Sequence, residues 1–489
     1  MAAPTQTFRC ILIAVCISNA VRGGETILLK PGEPIQMAVD KHPAATFVFT
    51  PGIYRLQTII PRTGQTFVGQ PGAILSGAKV LTGWERDGNR WYVSGQTQKG
   101  DVTAFNCIDG RPRCNYPEEL FIDDVRIRHV GTLPEVGPGT WFFDYPAGRI
   151  YIGDDPASHL VETSVVAYAF YGNRSRVTVR KLTIEKYATR TQHGVIHPRI
   201  GFADPPKAGD LSFGWLVEDV EIRLNHAAGI QLAQDMVVRR CRILRQGQIG
   251  IRGSGINNAL IEHNELAYNN DAGYDWGFEG GATKVLGSNN TIFRSNYVHH
   301  NLGAGLWLDW DNRNSLVEMN FVEHNSNAGI FQECNARGVV RYNISRFNAT
   351  HRLASPWLWG AQILIACSQQ MEVYGNTVTV GAGGGNGIAL IQQNRGSASF
   401  GPLVLKDNHI HNNVIIYQGD AGFSGAAADW NAEAMFSSNN RFDNNTYHVG
   451  SAQATHWYWQ SGATNWSGFR AQGQETSGQL TSNMRDRGR

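Results

Sequence analysis

Short runs of alternating apolar and polar residues, cut by glycine- and asparagine-rich turns, fill most of this chain. In an extended run alternate side chains share a face, so each run predicts a strand with one buried side. Ile35–Asp40 predicts a single short helix, and the runs Thr46–Thr50, Thr58–Ile60, Thr66–Val68 and Ala73–Leu75 follow it. Pro51-Gly52, Thr63-Gly64 and Pro71-Gly72 punctuate them. A helix followed by evenly spaced short strands predicts the capped start of a solenoid over residues 24–80.

The pattern changes over residues 81–159, where Trp84, Trp91, Tyr92 and Trp141 accompany hairpin-like strands. Thr140–Ile152 reads as two arms around Pro146-Ala-Gly148. This stretch predicts a small antiparallel β subdomain inserted near the N-terminus. From 160 to 448 a repeat becomes countable. Asp219, Cys241, Asn264, Asn296, Asn320, Asn343, Asn376, Asn408 and Asn440 are separated by 22, 23, 32, 24, 23, 33, 32 and 32 residues. A period near the shortest of these is one coil of three strands, and the longer gaps are loops inserted into a coil. The expected fold is therefore all-β, a right-handed parallel β-helix, because one coil cannot bury its apolar side chains alone. Asparagines repeated at one turn can hydrogen-bond up the axis, a structural role. Propeller blades are longer, about 40–50 residues, and sandwiches have no fixed period. Residues 449–489 lose the periodicity and predict a cap containing Trp457, Trp459 and Trp466, then a polar tail.

Composition narrows the function. The formal net charge is +2 with 17% charged residues, and no basic stripe argues for nucleic acid. Arg9 precedes the apolar run Cys10–Ile17, and Ser18-Asn-Ala20 offers small residues for cleavage. Residues 1–20 thus read as a secretory signal, with a buried N-terminal strand as the alternative. No later run is long and apolar enough for a membrane helix. The expectation is a secreted or periplasmic monomer. Cys107 and Cys114 bracket a Gly/Pro loop and are placed to form a disulfide in an oxidising compartment. Cys241, Cys334 and Cys367 lack metal-ligand spacing and read as small buried residues. His299, His300, His409 and His411 read as surface turn residues, so no metal or other cofactor is expected from them.

The candidate chemistry lies between Gly273 and Asn335. Aligning Gly305-Leu306 with Gly329-Ile330 sets Trp307 over Phe331 and Asp309 over Glu333, 24 residues on. If Leu306 and Ile330 point into the core, those four side chains point out. Adjacent strands lie about 4.8 Å apart. Retaining glycosidases need two carboxyl groups roughly 5–5.5 Å apart, and inverting ones roughly 6.5–9.5 Å. Two neighbouring carboxylates also push their pKa values apart, so that one holds a proton near neutrality. Trp276, Trp307 and Phe331 offer rings for sugar faces. Trp310 is a fourth, unless the alternation that turns Asp309 outward turns it inward. Asp311 is read as a turn residue beside Arg313 or as a substrate contact, and Lys284 as a partner of Glu279 or as a substrate contact.

The segments Glu279–Lys284, Gly305–Trp310 and Phe331–Asn335 resemble the core of glycoside hydrolase family 120. The early solenoid followed by an insert, with Leu75–Trp84 at the junction, is similar to family 141. The resemblance implies a β-helical retaining β-xylosidase with an inserted β-sandwich. It makes Asp309 the nucleophile and Glu333 the acid/base, and sets Glu279 and Lys284 near the substrate. Two stretches depart from the family: Asp311-Asn312 after Asp-Trp, and Cys334-Asn-Ala-Arg-Gly338 without the expected His and Pro. Three functions stay open. The first is a retaining glycosidase acting on a polysaccharide or oligosaccharide. The second is a polysaccharide lyase, with Lys284 as base and Ca²⁺ held by Asp309, Asp311 or Glu279. The third is a glycan-binding or surface protein without activity, which predicts carboxylates that are not adjacent or not in a cleft.

Overall fold

A computed structural model of the chain describes residues 24–201, 206–207, 209–351, 357–429, 431–460 and 462–482. Residues 1–20, expected to be a signal, and the last residues of the expected polar tail lie outside these. The chain winds as a parallel β-helix whose coils stack into three long sheets. The first sheet runs from Thr26–Leu29 to Arg441–Asp443, and the second from Gly52–Arg55 to Gln479–Thr481. The third runs from Phe170–Tyr171 to Trp457–Trp459, where Gly462–Thr464 closes it antiparallel. The expected helix is present as Ile35–Lys41, its Ile35 and Val39 buried against the first coils.

The solenoid continues across the insertion. Thr66 pairs with Thr178, and Ile74 with Thr183, so coils on either side of residues 81–159 stack directly. Ala78–Val80 pairs antiparallel with Val161–Ser164 and opens a separate eight-stranded sheet. That sheet is antiparallel except for one parallel step, Arg128 beside Thr140. It buries its own cluster around Trp141, Phe143 and Ile150. The Cys107–Cys114 disulfide is formed, with Cα atoms 5.7 Å apart, while Cys241, Cys334 and Cys367 are free and buried.

Register is what positions the site. On the third sheet Leu306, Ile330, Ile363 and Ile388 pair in sequence and are fully buried in the central core. Each such side chain contributes roughly 1.5–3 kcal/mol by leaving water. Trp307 and Phe331 alternate to the outer face, as the sequence predicts, and join a second apolar cluster there.

The asparagine column differs from the one counted in sequence. Asn264, Asn296, Asn320, Asn343 and Asn376 donate in turn to the next member at 2.9–3.0 Å. Asn376, however, donates to Asn413, and Asn408 donates to Asn440 in a separate column. The spacing of 32 residues crossed columns because the inserted coil happens to match an earlier gap. Asp219 also leaves the column: Val220, one residue on, is the register partner level with Cys241, because Glu221 pairs with Arg242. A third column, Ser288–Asn312–Asn335–Ser368, runs beside the site.

Candidate active site

Asp309 directly follows the strand Leu306–Leu308, and Glu333 ends the next strand of the third sheet, Ile330–Glu333. The pairing Leu308 with Gln332 carries Asp309 level with Glu333, one inter-strand step away. The Trp307 and Phe331 rings just before them measure that step directly, stacked with centroids 5.2 Å apart. Trp310 and Asp311 then take left-handed φ values of 31° and 65°, which turns the chain sharply after Asp309. Asn312 holds this turn by donating to the carbonyls of Asp309 and Val285. The backbone N–H of Asn312 donates to Asn335 Oδ1 at 2.9 Å, and Asn335 Nδ2 donates to the Leu308 carbonyl at 2.7 Å. The third asparagine column thus ties the turn after one carboxylate to the turn after the other.

Both carboxylates line a cleft of about 370 Å³, with Gly277, Phe278, Lys284, Trp307, Asn327, Phe331, Trp359 and Arg395. Trp307, Phe331 and Trp359 give it an apolar floor, and Trp359 meets Phe331 edge-on at 6.3 Å. Each acid has its own cation. Lys284 Nζ lies 3.2 Å from Asp309 Oδ2 and 2.8 Å from Glu279 Oε1, and it donates to the Phe278 carbonyl at 2.8 Å. Arg395 Nη1 donates to Glu333 Oε1 at 2.8 Å, and Trp307 Nε1 donates to Glu333 Oε2 at 3.1 Å. Burial, and then the Asp309 charge, push the Glu333 carboxyl up to about 7, against the pull of Arg395 and Lys284.

Of the residues read from the sequence, the structure gathers Asp309, Glu333, Lys284, Trp307 and Phe331 around the cleft, with Glu279 behind Lys284. Two lie elsewhere. The Trp276 ring meets His351 edge-on at 5.8 Å rather than lining the cleft. The Asp311 carboxylate accepts from Ser399 Oγ at 2.7 Å, outside the lining, because the turn swings it past Asp309. Trp310 does not point inward: it is 36% exposed, with Arg395 over its ring. Five lining residues had no part in the sequence reading: Gly277, Phe278, Asn327, Trp359 and Arg395. Phe278 stands between Trp276 and the segment Glu279–Lys284, and the adjoining Glu279 is its signal. Arg395 arrives from a loop 62 residues beyond Glu333, and no local pattern links the two.

The family described as right-handed β-helix region matches residues 209–378. A search of curated proteins gives no match. Among solved structures, XylC in complex with xylose superposes with a TM-score of 0.65 at 16% identity, covering 93% of this chain and 83% of XylC. The A-module of mannuronan C-5 epimerase AlgE6 from Azotobacter vinelandii superposes with a TM-score of 0.51 at 12% identity, covering 91% of this chain and 92% of the module. These likenesses establish the right-handed β-helix, a fold shared with carbohydrate-acting proteins.

Proposed function

We propose that this protein is a retaining glycoside hydrolase, with Asp309 as nucleophile and Glu333 as acid/base. The observation that carries the reading is the register pair: two carboxylates one strand apart in an aromatic-floored cleft, with Glu333 raised toward holding a proton at neutral pH. A spacing near one inter-strand step matches the retaining geometry, which leaves no room for a water between the acids. In the first step an Asp309 oxygen bonds the anomeric carbon, the glycosidic C–O bond breaks, and Glu333 gives its proton to the leaving oxygen. In the second, Glu333 takes a proton from water as that water displaces Asp309. Forming the ester removes the Asp309 charge, so the Glu333 pKa falls when it must act as base. The sugar bound by XylC, on the same fold, supports a saccharide as substrate. The protein acts outside the cytoplasm as a monomer, with residues 1–20 as the signal.

The lyase reading loses ground at Lys284. Its ammonium faces three acceptors, the Phe278 carbonyl, Glu279 and Asp309, which occupy its three N–H donors and leave no lone pair for a base. The cation between Glu279 and Asp309 is this lysine, where the lyase reading sets Ca²⁺. The test is a screen of neutral and acidic glycans for released reducing ends, run beside Asp309→Asn. Hydrolysis that Asp309→Asn abolishes supports the proposal. An unsaturated, ultraviolet-absorbing product, or full turnover by Asp309→Asn, overturns it.

A further inference from the structure

Away from the cleft, on the outer face of the first sheet, three side chains converge. His409 and His411 lie on the strand His409–His411, not in a turn as the sequence reading had them. Ile410 between them is fully buried, so alternation turns both imidazoles outward. The neighbouring strand Glu372–Tyr374 pairs Glu372 with His409. Glu372 Oε2 is 3.0 Å from His411 Nε2 and 3.7 Å from His409 Nδ1, and the three donor atoms all lie within 4.8 Å of one another.

We infer that Glu372, His409 and His411 form a zinc site with a fourth position open to solvent. Zinc bonds imidazole nitrogen and carboxylate oxygen at about 2.0–2.1 Å, so tetrahedral ligand atoms sit roughly 3.3 Å apart. The distances to Glu372 bracket that value before any side chain moves. The two imidazoles stack with centroids 4.0 Å apart and send their edges toward the same oxygen. Two protonated rings so close repel each other, whereas one divalent cation satisfies both nitrogens and the carboxylate. His411 is further oriented by Asn412, whose Oδ1 is 2.6 Å from its Nδ1. That contact fixes the proton on Nδ1 and leaves the Nε2 lone pair for the metal, the usual outer-shell arrangement of a zinc histidine. The face also carries Arg441 beside His409 and Asp443 beside His411. Asp443 accepts from Thr476 and Ser477, and Tyr374 accepts from Arg341, so neither is needed as a ligand.

The nitrogen-rich set selects zinc over calcium or magnesium, which favour all-oxygen ligands. The position suggests a clamp. The chain between Glu372 and His409 is the long coil that includes Arg395, which reaches Glu333. A metal joining the two strands fastens both roots of that insertion.

The experiment titrates Co²⁺, then Zn²⁺, into the metal-stripped full chain carrying no polyhistidine tag. The expected result is one equivalent of Co²⁺ per chain with visible tetrahedral bands and no thiolate-to-cobalt band, displaced by Zn²⁺, with a raised melting temperature. His409→Ala/His411→Ala is expected to lose the equivalent and the rise in melting temperature, and Glu372→Gln to weaken binding roughly 10–100-fold. Circular dichroism of these surface variants confirms that they fold. Unchanged binding by the folded double variant, a thiolate band from Cys334 or Cys367, or no Co²⁺ uptake at millimolar metal overturns the site.

Discussion

Glu318 and Glu333 are the same residue type at the same place in a strand, yet they titrate in opposite directions. Both end a short strand, and their side chains are 4% and 8% exposed. Both bond arginine: Glu318 meets Arg294 and Arg341 at 2.7 Å each, and Glu333 meets Arg395 at 2.8 Å. Burial raises both. At Glu318, hydrogen bonds from the two arginines outweigh burial and hold the carboxyl below the usual range. At Glu333, the next carboxylate is Asp309, and the group rises to about 7. The first sheet therefore carries ladders of charge that are neutralised in place, while the third sheet keeps one acid poised. What separates a structural ion pair from candidate chemistry here is the deeper burial of Glu333 within the surrounding protein, then the carboxylate one coil away, against one arginine instead of two.

The most forceful way to break this contrast is to remove that neighbour. Asp309→Asn is expected to lower turnover at least ~10⁴-fold, as loss of a nucleophile does. It also lowers the Glu333 pKa, because the second-largest cause of its rise has gone; an infrared titration of the carboxyl band reads this independently of any substrate. Glu333→Gln comes next, with a loss of about 10²–10⁴-fold on substrates with poor leaving groups. Aryl glycosides with good leaving groups need no acid and lose far less.

Proton linkage sharpens the contrast further. The folded pKa of Glu333 lies near 7, above its ordinary 4.5. Between those values the folded state binds the extra proton, so stability from this group is full below pH 4.5 and is lost as pH rises through about 7. The loss is about 3 kcal/mol, and it is absent in Glu333→Gln melting curves. The same proton makes kcat/KM fall above about pH 7. Asn335→Ala removes the side chain that joins the two turns, at an expected cost of about 1–3 kcal/mol in denaturant unfolding. The smallest effect belongs to Glu318→Gln, about 1 kcal/mol with turnover unchanged. Its sign is opposite: the folded pKa is depressed, so the stability it supplies at neutral pH is lost as pH falls through that value.

Much of this contrast was legible in the sequence because it depends on period. A step of 24 residues between Gly-Leu and Gly-Ile fixes which side chains face out, and Asp309 and Glu333 follow. The same counting failed at Asn376, where the inserted coil made the wrong asparagine look right. It was silent on Arg395 and Trp359, which reach the cleft on loops whose paths are set by packing and not by alternation. Trp276 and Asp311 have suitable side chains near the carboxylates in the chain, yet one lies against His351 and the other against Ser399. The metal triad was hidden because His-x-His on a strand needs its carboxylate from another coil.

The central claim, a nucleophile and an acid/base one strand apart, is tested most directly by product stereochemistry. With an aryl glycoside of the sugar identified by screening, Glu333→Ala is incubated with azide and the anomeric configuration of the glycosyl azide is read by NMR. The account predicts azide-restored turnover and a product that keeps the configuration of the substrate, because azide displaces a glycosyl ester on Asp309. An inverted product from Glu333→Ala would contradict it.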